Sequence, residues 1–493
     1  MEKTKKIFCL LLCMFLLAPG LAACGESESN PSPSMSDTDP SETTETAQPE
    51  TDPREQSDNL PEKNFDGEVF TLYLYTSAAS PDFMADEYTG EAINDSVFER
   101  NMNISSRFNM KFEYSLDDSF YSTWDTNAIV AVRAGDDTND LLGMSGGHVF
   151  YHAKSGALLD WNEYTAYNDF TKPWWDSDFY EEMTLGGKLF GMTGSISHKG
   201  IGGTFCLLFN KDIMDRFSME YPYESVRNGS WTFDQFYTVG TAVVEDLNGD
   251  GTTSPEHDRM ALDSNSWRFP VGSFYMAGDK IITTDKNEAP QLTIYNERTD
   301  SIIERMTALY DEPGFYINDY HSVAVDTWHA GRALFTATAI QQLAWDRGSE
   351  FEMGVVPYPK YDESVSRYYS LADAGELAYA LPKTVKNLEF TSIITEALAA
   401  EGYKHIIPEY FEVCLQSKYA RDEESADMLD LILETRFFDY GYWDSAINWT
   451  ISYPGRNILF VDQDFTSFYE THKNATETAL QQLYESYLNN TAE

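Results

Sequence analysis

The chain has 493 residues, 42% of them hydrophobic and 23% charged, and its formal net charge at neutral pH is −47. A protein this acidic repels polyanions, so the charge argues against nucleic acid and against anionic membrane surfaces as partners. The eight histidines are scattered, and no His-Glu-x-x-His helix or Cys-x-x-Cys pair occurs, which leaves no recognisable zinc or dithiol motif.

The first residues are typical of an export signal. Three lysines precede an apolar run over residues 7–18 that is too short to span a bilayer readily. The "LAAC" that ends at Cys24 resembles a bacterial lipoprotein box, in which the peptide is cut before the cysteine and its thiol is then lipidated. We therefore expect a signal peptide over 1–23 and lipidation of Cys24. An ordinary secretory signal cleaved near the same place is the alternative.

A predicted linker follows the lipidated cysteine and extends over residues 24–64. Within 25–62 there are eleven acids, one base and no aromatic residue, and serine, threonine and proline fill most of the rest. Such a segment cannot bury enough apolar surface to offset its conformational entropy, so we predict that it is disordered.

From residue 65 the composition is that of a folded protein, and the roughly 430 residues that remain favour two lobes. The pattern predicts strands over 67–75, 110–116 and 140–146, with helices over 93–108 and 126–136 between them. This alternation predicts βαβ units and a largely parallel sheet. Ligands of such sheets bind at the carboxyl ends of strands, which makes 75–80 and 144–148 candidate binding loops.

A second alternating region begins at residue 203. Thr232 is the predicted N-cap of a helix within 229–244, and a helical period runs through 387–415. Cys206 and Cys414 lie in apolar segments, so we predict two separate buried thiols rather than a disulfide or a catalytic cysteine.

Several short segments, taken in chain order, resemble those of one protein family. They are "GEVFTLYLY", "GEAINDSVFERN", "SGALLDW", "GGKLFGMTGS", "LLFNKDIMDRF", "GSWTFDQF", "AGRALF", "MGVVPYPKYD" and "RDEESADML". Together they resemble an extracellular solute-binding protein of bacterial ABC importers, of the family 1-like lipoprotein branch that mostly carries sugars.

The resemblance implies an α/β fold of the periplasmic-binding-protein type, a two-lobed clamp of class II. Each lobe would be a mostly parallel sheet flanked by helices, with a discontinuous course along the chain. The first lobe would take 65–195 and 375–435, and the second 200–370 and 440–493. Crossover strands would join them near 192–197 and 368–375.

The function implied is a lipid-anchored extracellular subunit that binds a mono- or oligosaccharide between the lobes and delivers it to the ABC permease. We expect a monomer that meets the membrane through its lipid alone, and no catalysis. A same-fold protein for a non-sugar solute or for surface sensing is the alternative. A cell-surface glycosidase or adhesin is a weaker one, because among 81 acids a pair of carboxylates can always be imagined.

Sugar binding needs aromatic rings for pyranose faces and planar polar groups for hydroxyls, and 14% of the residues are aromatic. By the resemblance, positions in the binding loops, at the crossovers and in the last segment are candidates for ligand contact. These positions are Ser145, His148, Ser195, Trp267, Gln341, Gln342, Trp345, Asp373 and Trp443. For each tryptophan the alternative is a role in core or lobe packing, and Trp174 and Trp175 are expected to pack under a lobe.

The acidic stretch over 245–258 is similar to a calcium loop. Alternate oxygen donors, a glycine at the sixth place and a carbonyl at the seventh match that pattern, and the predicted ligands are Asp246, Asn248, Asp250, Thr252 and Asp258. His257 stands where a bidentate acid belongs, so Asp258 would close the loop one residue late. The alternative is a solvated acidic turn. No cofactor other than this structural calcium is expected.

Overall fold

The fold is built on two five-stranded sheets. The computed structural model describes residues 55–79, 82–120, 123–164, 166–286, 288–318, 325–412, 415, 422–444, 447, 451, 453–459 and 464–490. The predicted signal peptide, Cys24, Cys414 and most of the linker lie outside these residues.

Fourteen strands are described. In chain order they are β1 (Val69–Tyr75), β2 (Lys111–Asp117), β3 (Leu141–Ser145), β4 (Leu158–Leu159), β5 (Phe205–Asn210), β6 (Met260–Asn265), β7 (Ile282–Thr284), β8 (Pro290–Leu292), β9 (Phe315–Asn318), β10 (Ala333–Ala339), β11 (Met353–Val356), β12 (Ser370–Leu371), β13 (Leu377–Pro382) and β14 (Arg436–Phe437). The first sheet has the order β2-β1-β3-β13-β4 and the second the order β11-β5-β10-β6-β9.

Each sheet has four strands in one direction and one reversed strand. In the first sheet β1 runs parallel to β2 and β3, whereas β13 is antiparallel to β3 and β4. In the second, β10 and β9 are parallel to β6, and β5 is antiparallel to β10 and β11. The predicted mostly parallel sheets are confirmed. The reversed strands β5 and β13 are the ones the chain enters directly after it passes from one sheet to the other.

Helices flank both sheets. They are α1 (Thr76–Ala79), α2 (Ala92–Phe108), α3 (Trp124–Arg133), α4 (Gly146–Ala153), α5 (Trp161–Tyr164), α6 (Ser177–Met183), α7 (Lys199–Gly202), α8 (Lys211–Arg216), α9 (Tyr223–Arg227), α10 (Phe233–Thr241), α11 (Phe269–Phe274), α12 (Glu297–Tyr310), α13 (Gln342–Trp345), α14 (Leu388–Pro408), α15 (Glu423–Glu434), α16 (Tyr440–Trp443), α17 (Pro454–Leu459) and α18 (Phe465–Leu488). None of the described helices is long and apolar enough to cross a membrane.

Local sequence explains where these elements begin and end. Thr232 caps α10 as predicted, because its side chain accepts a hydrogen bond from the backbone N–H of Gln235. Helix α2 ends at Asn109, which adopts the left-handed conformation with φ 48°. Cys206 is a buried free thiol in β5, as predicted.

Three segments that connect the two sheets lie side by side. The chain leaves the first sheet after Met192, whose backbone N–H donates to Tyr379, and reaches the second sheet at β5. It returns through β12, and an antiparallel bridge joins Thr204 of the outgoing segment to Ala372 of the returning one. Strand β14 pairs with β12 as the third segment. The resemblance placed crossovers near 192–197 and 368–375, and it named no third segment at β14.

The end of the predicted linker packs on the first lobe. The Asp58 carboxylate pairs with Arg107 at 2.5 Å, and the Leu60 side chain is only 9% exposed. The linker is attached to the folded body by this acid and this apolar side chain, which lie two residues apart at its end. Composition alone does not reveal such a contact. The folded body therefore begins before residue 65.

Candidate functional site

The second lobe has an open cavity of about 610 Å³ at the carboxyl edge of its sheet. Strands β6, β9 and β10 run parallel, so their carboxyl ends meet at this edge. Neutral amide and hydroxyl groups form much of the lining, namely Asn265, Asn318, Thr336, Thr338, Gln341 and Gln342. Such groups donate and accept hydrogen bonds without carrying charge.

One large aromatic side chain stands free on the cavity wall. Trp345, at the end of α13, lines the cavity and is 68% exposed, the largest exposure among the tryptophans of the described residues. An indole face left in water beside polar groups has the properties of a stacking platform. Of the predicted contact residues, Gln341, Gln342 and Trp345 are brought together here.

A buried carboxylate holds the base of α13. Both oxygens of Asp346 are used: Oδ2 accepts from the Trp328 indole N–H at 2.8 Å, and Oδ1 lies 2.9 Å from His329 Nε2 and 2.5 Å from Gln342 Nε2. Partial burial would lower the pKa of His329, but hydrogen bonds to Asp346 and Asp326 outweigh it and raise the pKa above 6.5. This network fixes the turn at 326–329 against α13.

Arg268 connects the cavity to the returning crossover. It lines the cavity, and its Nη1 donates to Asp373 Oδ2 at 2.7 Å. Asp373 Oδ1 accepts from the Tyr442 hydroxyl and from the Gly375 N–H, each at 3.0 Å. Burial opposes the charge of Arg268, but Asp373 overcomes this and raises its pKa. The predicted residue Asp373 is therefore the counter-ion of a cavity residue.

The first-lobe loop after β3 meets the same crossover. The backbone N–H groups of Gly146 and Gly147 donate to the carbonyls of Glu376 and Ala374, each at 2.8 Å. The crossover over 372–376 therefore contacts the candidate loop of the first lobe on one side and Arg268 of the second lobe on the other.

In that loop, His148 is oriented by a buried acid. Its Nδ1 lies 2.6 Å from Asp125 Oδ2, and its side chain is 24% exposed. Burial raises the pKa of Asp125, while the contact with His148 lowers it. An Nδ1 held by a carboxylate leaves Nε2 as the acceptor of the neutral ring. His148 thus has the chemistry to meet a ligand hydroxyl.

The same loop contains the residue spacing of a serine nucleophile elbow. Residues 143–147 read Gly-Met-Ser-Gly-Gly, a Gly-x-Ser-x-Gly pattern between a strand and a helix. However, Ser145 has the ordinary extended values φ −60° and ψ 128°, and it is only 1% exposed. A nucleophile elbow instead needs a strained turn that presents the hydroxyl, so the local geometry argues against that role.

Three predicted contact residues pack away from the cavity. The Trp267 ring packs on Tyr453 at 4.6 Å between centroids. Trp443 is 1% exposed, and its indole N–H donates to the Ala372 carbonyl. Ser195 is 9% exposed in the first crossover and lines a separate cavity of about 150 Å³.

Trp174 and Trp175 are buried, and both line the cavity of about 150 Å³ that Ser195 also lines. Their indole N–H groups donate to the two oxygens of Glu396 on α14, each at 2.8 Å. Burial raises the pKa of Glu396 to about 7, although these hydrogen bonds act in the opposite direction.

The carboxylates of the acidic loop accept hydrogen bonds from the backbone of the same loop. Asp246 accepts from the N–H groups of Gly249 and Gly251, and Asp258 accepts from those of Leu247 and Ser254. Among the described residues, no group of three or more His, Cys, Asp or Glu side chains is placed to hold a metal. The donor types suit calcium, but their carboxylates do not converge, and the calcium site stays a prediction.

Sequence reasoning did not identify most of the cavity lining, including Asn265, Arg268, Asn318, His329 and Thr338. The sequence did contain one signal for these residues. The segments "DSN" and "FTATA" are the last residues of two strands, and ligands of parallel sheets bind at the carboxyl ends of strands.

Comparisons with known proteins find similar folds but no similar sequences. No protein-family model matches the sequence, and no curated protein is significantly similar to it. Among solved structures, the galacto-N-biose/lacto-N-biose I-binding protein of an ABC transporter from Bifidobacterium longum matches with a TM-score of 0.56 at 12% identity, over 85% of this chain and 99% of that one.

Two further structures are similar to the same extent. An ABC substrate-binding protein from Listeria monocytogenes, in complex with cycloalternan, has a TM-score of 0.53 at 12% identity, over 85% of this chain and 99% of that one. UgpB from Mycobacterium tuberculosis, in complex with glycerophosphocholine, has a TM-score of 0.55 at 14% identity, over 84% and 98%. The chain therefore has the fold of ABC-transporter substrate-binding proteins.

Proposed function

We propose that this chain is the lipid-anchored, extracellular substrate-binding subunit of an ABC importer and that its ligand is a carbohydrate. The observation that supports this most is the cavity of the second lobe, where neutral amides and hydroxyls surround an exposed indole. The fold supports the same class of ligand, because two fold relatives were solved in complex with lacto-N-biose and with cycloalternan. The lipobox ending at Cys24 and the acidic linker support the anchor and its place outside the cell.

The chemistry of the cavity fits a neutral polyhydroxylated molecule. Pyranose rings present C–H groups to an aromatic face, and their hydroxyls pair with planar amides. Trp345 provides the face, while Asn265, Asn318 and the paired glutamines at 341 and 342 provide amides around it. A volume of about 610 Å³ has room for more than one sugar ring.

The test is a saccharide panel. Purified protein without its signal peptide is screened by thermal shift against mono- and oligosaccharides, because a ligand that binds the native state raises the melting temperature. Hits are then measured by calorimetry. We expect Trp345→Ala to weaken the best ligand by about five- to thirtyfold, the equivalent of losing about 1–2 kcal/mol of stacking. Tyr151→Ala, which removes an exposed aromatic of the first lobe, is the control and should leave affinity unchanged.

The alternatives are decided by the same panel. A glycerophosphodiester is included because one fold relative was solved with glycerophosphocholine. Binding of that compound but of no saccharide would favour the non-sugar alternative. Turnover of chromogenic glycosides or esters, lost in Ser145→Ala, would overturn the proposal that the chain is a binding protein without catalysis.

A further inference from the structure

His329 lines the cavity, as Arg268 does. Both of its ring nitrogens face carboxylates. Nδ1 lies 2.8 Å from Asp326 Oδ2 and Nε2 lies 2.9 Å from Asp346 Oδ1. Neutral imidazole has one N–H, whereas the imidazolium has two. With an oxygen at hydrogen-bond distance from each nitrogen, only the protonated ring donates to both.

These contacts join the two parts of one cavity wall. Asp326 belongs to the turn at 326–329, and its side chain is 60% exposed. Asp346 directly follows α13, and its side chain is 1% exposed. Asp346 also accepts from Gln342, which lies in the same short helix as Trp345. A helix of four residues has little stability of its own, so its position depends on this bridge.

We propose that protonated His329 is a positioning residue that holds the α13 wall in its binding geometry, so that ligand affinity falls when the imidazolium loses its proton. The proposal rests on the proposed function only for the identity of the ligand. A neutral ring turns a lone pair toward one of the carboxylates, which replaces a charge-assisted hydrogen bond with a repulsive contact. The turn and α13 then separate, and Gln342 and Trp345 lose their fixed positions.

The neighbouring charged groups do not mask this effect. Asp263 on β6 accepts from the backbone N–H groups of Thr327 and Trp328, Arg268 lines the cavity, and Arg347 is exposed beside Asp346. Burial raises the pKa of Asp263, while the hydrogen bonds from Thr327 and Trp328 lower it. Aspartates and arginines ordinarily titrate far from neutrality, so among these groups His329 is the one expected to change charge between pH 6 and 9.

Calorimetry with the best ligand of the panel between pH 6 and 9 tests the proposal. Wild-type affinity should fall with rising pH, by up to about tenfold per pH unit above the midpoint. His329→Gln should bind weakly with a flat profile. Asp326→Asn, which keeps the oxygen that accepts the His329 backbone N–H, should shift the profile to lower pH. His472→Gln, on α18, is the control and should behave as wild type.

A ligand-free measurement separates this proposal from the proposed function. NMR of the His329 imidazole should give a midpoint above 6.5, and the indole N–H signals of Trp328 and Trp345 should shift with the same midpoint. If no ligand is found but this coupled titration occurs, the positioning role stands and the proposed function fails. A pH-independent affinity, or indole signals that ignore the His329 titration, would overturn the inference.

Discussion

Replacing Asp373 with asparagine tests the link between the cavity and the crossover. The carboxylate lies 2.7 Å from Arg268 Nη1, and the two side chains are 9% and 20% exposed. Removing one partner of a buried ion pair typically costs about 3–5 kcal/mol. Water still reaches a fifth of the Arg268 side chain, so we expect Asp373→Asn to lower the free energy of unfolding by about 2–3 kcal/mol.

The substitution removes the contact of Asp373 with Arg268 and keeps its other hydrogen bonds. An asparagine oxygen still accepts from the Tyr442 hydroxyl and the Gly375 N–H, while its amide N–H group now faces the guanidinium. The loss therefore reports the ion pair rather than the whole crossover.

A double-mutant cycle with Arg268→Met isolates the pairwise interaction. Urea unfolding of the four proteins should give a coupling free energy of about 1–2 kcal/mol. The reasoning is refuted if Asp373→Asn costs less than about 0.5 kcal/mol, the range of an ordinary surface substitution, or if the effects of the two substitutions simply add.

Burial, assisted by Asp373, raises the pKa of Glu376 from 4.5 to about 8. The folded state thus keeps a proton that the unfolded state releases, and the resulting stability is present below pH 4.5 and lost as the pH rises through 8. Because Glu376 is partly exposed, we expect a loss of about 2 kcal/mol, seen in urea midpoints against pH and flattened in Glu376→Gln; an unchanged midpoint would contradict this. Gly402→Ala would place a Cβ 1.9 Å from the Ser195 carbonyl oxygen and should cost about 2–3 kcal/mol in the same assay, whereas Gly348→Ala, with no atom within 4 Å, should be neutral; equal effects would dismiss the packing argument. If the acidic loop holds calcium as the sequence predicts, calcium should raise the melting temperature of chelator-treated protein, and Asp250→Asn should suppress the rise; equal melting temperatures with and without calcium would reject the site.

The sequence predicted the fold well because its signals are local. The strand at β1, the helix at α2 and the Thr232 cap depend on residues within one element, and the structure confirms each.

The candidate site was predicted less well because its residues are distant in sequence. Asn265 and Asn318 end two strands and Thr338 is the second-last residue of a third, and only the pairing of β9, β6 and β10 brings them together. The role of each tryptophan was the most difficult to predict, because a tryptophan can pack in the core or contact a ligand. A Cβ on Gly146 would lie 2.0 Å from the Trp443 ring, so the absence of that atom is what lets the indole pack inside.

A short chain of contacts connects the cavity of the second lobe to the candidate loop of the first lobe. Trp345 and Arg268 line the same cavity, and Arg268 is paired with Asp373 on the returning crossover. One and three residues further on, the carbonyls of Ala374 and Glu376 accept hydrogen bonds from the N–H groups of the loop that carries His148. A ligand shifts an equilibrium only through contacts that differ between its states. A ligand that bridges Trp345 and His148 would gain contacts only in the closed arrangement. Trp345→Ala and His148→Ala should then weaken binding less together than the sum of their separate effects, whereas strictly additive losses would contradict the coupling and no loss in His148→Ala would place the whole ligand on the second lobe.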